Sequence, residues 1–189
     1  MKRRNFISKS LLALTGLGLV YYGNNYFSVN SKPNYNELEG ELPLIDELSE
    51  IIIPKTETPG AKDAKVGIFI LHYLHNCEYN ITNNFIIGLK QLKERAQNQY
   101  QSNFLNLSQN KQKALLLELK RLESRIPYYD QIHTKLFGKD FFHVLKELTC
   151  IGYCTSSIAL TNSLRYDRNP GTFISQIHIS KHEKSWATK

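Results

Sequence analysis

Residues 44–70 read LIDELSEIIIPKTETPGAKDAKVGIFI, and they decide the fold. Apolar side chains stand at 44, 45, 48, 51 and 52. That is the i, i+1, i+4, i+7, i+8 stripe of an amphipathic helix. Pro43 suits the first turn, where its missing N–H is no loss, and Pro54 forbids continuation. Beyond Pro59 and Gly60 a new pattern begins. Val66, Phe69, Ile70, Tyr73 and Leu74 predict the buried face of a second helix, with Asp63 as its N-cap. Between the helices lies a sharply bounded loop, residues 54–61. Pro59 and Gly60 suit positions i+1 and i+2 of a type II turn, which would fix the angle between the helices. The alternative is that this rigid loop, cheap to order on binding, contacts another protein.

The helical period recurs downstream. A third helix is expected from about Thr82, with Phe85, Ile86, Leu89, Leu92 and Ala96 in register. Ser108 can cap a fourth, lined by Leu115, Leu116, Leu119 and Leu122. An irregular stretch broken by Pro127 and Gly138 follows. A fifth starts near Asp140 and carries Phe141, Phe142, Leu145, Leu148, Gly152 and Tyr153. The tail beyond Asp167 reads as loop packed on the domain. Two-residue alternation is confined to residues 172–179. The expectation is an all-α chain: one compact domain of about five main helices behind an N-terminal export signal. Residues 1–23 form the signal segment, 24–40 a polar linker, and 41–189 the helical domain.

The chain's 189 residues suffice for one domain with a real core. Hydrophobic residues make up 41% and charged residues 22%, as in an ordinary folded protein. The net charge is +7, but Lys2, Arg3, Arg4 and Lys9 all precede the first acid. The remainder is only mildly basic and shows no basic stripe interleaved with aromatics, so nucleic-acid binding lacks support.

The N-terminus is MKRRNFISKSLLALTGLGLVYYG. A basic segment precedes an uncharged apolar run at 11–22, too short to span a bilayer comfortably. This is the layout of an export signal. Arg3, Arg4 and Phe6, followed by Ile7, resemble the twin-arginine signal, in which an arginine pair precedes a bulky apolar residue. The Tat translocase that reads this signal carries folded proteins, often with cofactor bound. The plainer alternative is a Sec signal that contains two arginines. No A-x-A cleavage site follows. The expected destination is the periplasm, reached either free after cleavage near Gly23 or tethered to the inner membrane by an uncleaved signal.

Chemistry-bearing motifs are sparse. His72, His75 and Glu78 are spaced three apart, and i, i+3 neighbours can share a metal. Steps of three drift around a helix, however, leaving His72 and Glu78 about 120° apart. The H-E-x-x-H order is missing, so a solvated or interfacial histidine pair is the preferred reading. His178 and His182 lie in a tail without a clear helix. No Glu-x-x-His occurs, which argues against a di-iron bundle. Neither G-x-S-x-G, G-x-G-x-x-G nor a Walker loop is present. Ser156 and Ser157 fall in the late helical pattern. Cys77, Cys150 and Cys154 do not read as a disulfide framework, and the last two are expected to be small buried groups. Some of the 11 tyrosines and 9 phenylalanines can serve as interface anchors.

With these residues assembled, a resemblance emerges. Ile52, Ile53 and Pro54, then Thr58, Pro59, Gly60 and Ala61, resemble the opening of the gluconate 2-dehydrogenase subunit 3 family. Phe104 to Ser108, with Gln112, Leu115 and Leu116, is similar to its central helix entry. Phe141 to Thr149, then Gly152, Tyr153, Thr155 and Ser156, resemble its late helix. Tyr166, Asp167, Pro170, Gly171 and Phe173, then Trp186 and Ala187, resemble its end. Two departures stand out. Ser175 and Gln176 replace a frequent Gly-Cys, and Cys154 occupies a usually aromatic position.

The resemblance implies a non-catalytic accessory subunit with no catalytic, cofactor or metal residues of its own. Its expected partner is a large FAD-dependent subunit of the glucose-methanol-choline type, acting on a sugar or sugar acid. A cytochrome subunit carrying haem c is the expected electron acceptor. The small chain would escort the large one through the Tat translocase. Pro54, Pro59, Gly60, Ala61, Gly152 and Tyr153 are the family-motif positions and candidate partner contacts. Two alternatives are a free-standing metal-binding protein using His72, His75 and Glu78, and a membrane-tethered adaptor.

Overall fold

Helices form where the apolar stripes place them. The computed structural model describes residues 27–123 and 138–166, and positions 134, 169, 171, 176, 178, 180 and 183–185. A short helix α1, Tyr35–Gly40, begins where the Asn34 side chain accepts the Glu37 N–H. Its Leu38 is fully buried, so packing starts before residue 41. Asn83 strengthens that start by donating to the carbonyls of Val29 (2.9 Å) and Ser31 (2.7 Å). Then come α2, Leu42–Ile52, and α3, Val66–Asn76. The long α4, Tyr79–Tyr100, follows. A 3-10 turn, Phe104–Asn106, leads to α5, Gln109–Glu123. The chain continues with α6, Phe141–Cys154, and a short α7, Ser157–Asn162. The five main helices expected from the sequence are α2 to α6. Among the described residues there is no strand.

The core is organised around α6, which packs against α2, α3, α4, α5 and α7. Ile45, Leu48, Ile70, Phe85, Leu92 and Leu145 are fully enclosed. Each such side chain contributes about 1.5–3 kcal/mol. An exposed ion pair contributes only ~0–1 kcal/mol. The fold therefore rests on burial, with the surface pairs trimming it. The α3–α6 crossing is especially close, because a Cβ on Gly152 would stand 2.6 Å from Phe69 Cδ1.

Several expectations need correction. Asp63 is not the N-cap of α3. Residues 61–65 form a turn of their own, with Ala64 N–H on Gly60 O (3.2 Å) and Val66 N–H on Ala61 O (3.1 Å). Lys65 then adopts a left-handed φ of 54°, and α3 starts at Val66. Tyr73 (43% exposed) and Leu122 (52%) lie outside the core that their spacing suggested. Both sit at the edge of a stripe whose centre is already filled. The late helix stops at Cys154, and Ser156 caps α7 by accepting the Ala159 N–H at 3.1 Å. Cys150 is half-buried and Cys154 exposed, not enclosed.

Candidate functional site

The loop between α2 and α3 is assembled by one carboxylate. Glu50, in the last turn of α2, accepts the Lys55 N–H on Oε1 at 2.8 Å and the Lys62 N–H on Oε2 at 2.9 Å. The loop thus wraps round a single side chain. Gly60 passes directly over it. A Cβ there would meet Glu50 Oε2 at 2.5 Å and Cδ at 2.7 Å. That close approach is why glycine is needed. The expected type II turn is not formed, since it requires a positive φ at Gly60 and only Gly138 and Gly171 among the described glycines have one. The neck closes where Ala61 N–H donates to Ile53 O at 3.0 Å. The Ala61 methyl is fully buried, leaving no room for a larger side chain.

The second motif meets the first at this point. Tyr153, in the last turn of α6, donates its hydroxyl to Pro59 O at 2.7 Å. A phenol has one proton, and a carbonyl can only accept. Ser163 Oγ, 2.7 Å away, must therefore donate to the tyrosine oxygen. The chain of bonds ties the segment after α7 to α6 and α6 to the loop. Pro59, Gly60, Ala61, Gly152 and Tyr153 thus belong to one structural latch. Gly60, Ala61, Gly152 and Tyr153 are buried, while Pro54, Lys55, Thr56 and Glu57 are exposed at the loop's tip. The surface that this motif offers to another molecule is that tip.

Two further carboxylates hold the α3 end of the loop. Asp46, on α2, lies against Gly67 in the first turn of α3, where an added Cβ would stand 3.0 Å from its Cγ. Its carboxylate thus stands at the positive end of the α3 dipole, where Lys65 makes no side-chain cap. Burial raises the Asp46 carboxyl above its ordinary 3.8, against the opposing pull of Lys62 and the Gly67 N–H. Asp63 goes the other way. Its hydrogen bond from Lys55, a 3.0 Å ion pair, lowers its carboxyl below 3.8. Lys62 also pairs with Glu47.

Sequence reasoning missed Glu50, Asp46 and Ser163. A usable signal existed for the first. Acids near a helix C-terminus oppose the helix dipole, so Glu50 there calls for a specific use.

His72 and His75 sit in different surroundings. His75 stacks on Tyr35 with ring centroids 4.5 Å apart, and its Nε2 lies 3.3 Å from Glu39 Oε1. His72 and Glu78 are exposed. Among the described residues no group of three or more His, Cys, Asp or Glu is placed to hold a metal. Cys77 lies 3.3 Å from Thr82 Oγ1, whose hydroxyl donates to Leu74 O at 2.7 Å and so caps the end of α3. Arg3, Arg4 and Phe6 lie outside the described residues. So do Asp167, Pro170, Phe173, Ser175, His182, Trp186 and Ala187 of the tail. Among the described residues no helix is long and apolar enough to cross a membrane.

The fold and the latch define a class: an all-α domain whose motif residues are spent on locking a loop to a central helix. Within that class, the chain belongs to the gluconate 2-dehydrogenase subunit 3 family, whose model matches residues 39–171. The match includes α2, the loop, α6 and α7. No curated protein and no solved structure matches the chain significantly.

Proposed function

We propose that this chain is the non-catalytic small subunit of a flavin-dependent dehydrogenase acting on a sugar or sugar acid. It binds and stabilises the large FAD-dependent subunit, of the glucose-methanol-choline type, and escorts it through the Tat translocase into the periplasm. A cytochrome carrying haem c takes the electrons onward. The observation that carries this reading is the family match across residues 39–171, whose description names a dehydrogenase subunit. Arg3, Arg4 and Phe6 at the head of an apolar run support the export role. FAD and haem c reside in the partner chains, so this chain contributes a binding surface and a signal.

Replacing Arg3 and Arg4 by Lys keeps the charge but removes the arginine pair. Cell fractionation should then find the large flavin subunit retained in the cytoplasm. Normal arrival of that subunit in the periplasm would refute the escort role. Co-purification of wild-type chain with a flavin absorbance band tests the partnership itself.

A further inference from the structure

We propose that the groove between the end of α2, α5 and α6 is the seat of a partner polypeptide, which inserts an apolar side chain flanked by carboxylates. The groove has a volume of about 250 Å³, room for a large side chain. Ile52, Leu116 and Phe142 line it, and Lys113, Lys120 and Lys146 border it. Leu116 is buried and Ile52 and Phe142 half-buried, whereas the three lysines are exposed. Among the described residues no acid lines it.

Three lysines without a carboxylate partner among the described residues cluster on this face. Elsewhere Lys55, Lys62, Lys90, Lys93 and Lys139 each have a carboxylate partner. Among the described residues Lys113, Lys120 and Lys146 have none. Lys120 rests instead over the Phe142 ring, 5.5 Å from its centroid. Three uncompensated cations round an apolar trough complement an anionic, apolar ligand. The chain's own N-terminal residues 1–26 do not qualify, because they carry Lys2, Arg3, Arg4 and Lys9 and no acid. Glu37, Glu41, Glu47, Asp63 and Glu147 pair with lysines, Glu118 and Glu183 with arginines and Glu39 with His75, which disfavours a second copy as the source of carboxylates. Of its apolar lining residues only Leu117 is exposed, whereas insertion into a bilayer needs several apolar side chains that project. A protein segment therefore fits better than a lipid surface.

The inference rests on the accessory-subunit reading, and the test separates the two. The chain is co-expressed with the large flavin subunit, and affinity is measured at low and moderate salt. Lys113→Glu, Lys120→Glu and Lys146→Glu combined should weaken binding roughly tenfold or more at low salt, with an unchanged melting curve. The matching Lys→Gln triple, gentler on folding, should lose most of the salt dependence, and the Lys→Arg triple should bind normally. If wild type binds and the Glu triple binds equally well, the groove inference falls and the accessory role stands. If wild type captures no flavin subunit, both fall. Phosphatidylglycerol vesicles form a separate arm. Vesicle binding that the Glu triple abolishes while subunit binding persists would overturn the inference in favour of a membrane contact.

Discussion

Gly60→Ala separates two explanations of the loop. If glycine served a left-handed turn, alanine would be strained whatever its neighbours. The structure instead gives Gly60 an ordinary φ and places the Glu50 carboxylate against its Cα. A methyl group 2.5 Å from Oε2 is far inside van der Waals contact, so the carboxylate must leave. It then loses its bonds to the N–H groups of Lys55 and Lys62. Hydrogen bonds to charged groups contribute about 1.5–3 kcal/mol when buried. Glu50 is half-buried and both lysine residues are exposed, so about 1 kcal/mol each is a better figure here. Glu50→Ala alone should then destabilise by about 2 kcal/mol. Gly60→Ala loses the same bonds but stiffens the unfolded chain, which returns about 0.4–1 kcal/mol. Its net effect is a loss of about 1–1.5 kcal/mol, or roughly 2–6 °C in Tm. In a Glu50→Ala background the clash is gone. Gly60→Ala should there be neutral or stabilising by about 0.5 kcal/mol. Urea unfolding of all four proteins, followed by circular dichroism, gives the coupling directly. An equal loss from Gly60→Ala in both backgrounds would refute the assignment.

Other outcomes follow from the same region. Tyr153→Phe keeps the packing but strips Pro59 O and Ser163 of their shared partner. It should cost about 1–2 kcal/mol in urea unfolding, and hydrogen exchange in residues 54–61 should quicken. An unchanged exchange rate would mean that the latch does not hold the loop. The two aspartates should show opposite pH behaviour. The raised carboxyl of Asp46 binds its proton more readily in the folded state, so its contribution is full below 3.8 and is lost as pH rises through the folded value. The lowered carboxyl of Asp63 contributes above 3.8 and loses that contribution as pH falls through its folded value. Relative to wild type, Asp46→Asn should therefore gain as pH rises across this range, and Asp63→Asn should lose. Unfolding curves at several acidic pH values check both signs.

Local pattern and local punctuation made the helices legible. The stripe at 44, 45 and 48, the stop at Pro54 and the run from Phe85 to Ala96 each report on a helix's own geometry. What escaped was set by partners distant along the chain. Asp63 looks like a cap because caps are judged by neighbours in sequence, yet the carboxylate against the start of α3 is that of Asp46 on another helix. Pro59 and Gly60 look like a turn for the same reason, yet the glycine answers to Glu50. Tyr153 was recognisable as a motif residue, but no rule of spacing leads from it to Pro59. Leu122 carries a core-like residue at a core-like spacing and is exposed all the same, because α5 meets its neighbours along a narrower stripe than the leucines suggest.

The reach of Tyr153 bears on how the molecule is put together. The bonds from Glu50 to the loop span 5 and 12 residues, whereas the one from Tyr153 to Pro59 spans 94. Closing so large a circuit is entropically slower than closing a short one. On a nascent chain the first helical hairpin can shape its own connection early. The final seal waits until α6 has docked and Ser163 has been synthesised. A truncation just ahead of Ser163 would loosen a bend made long before it.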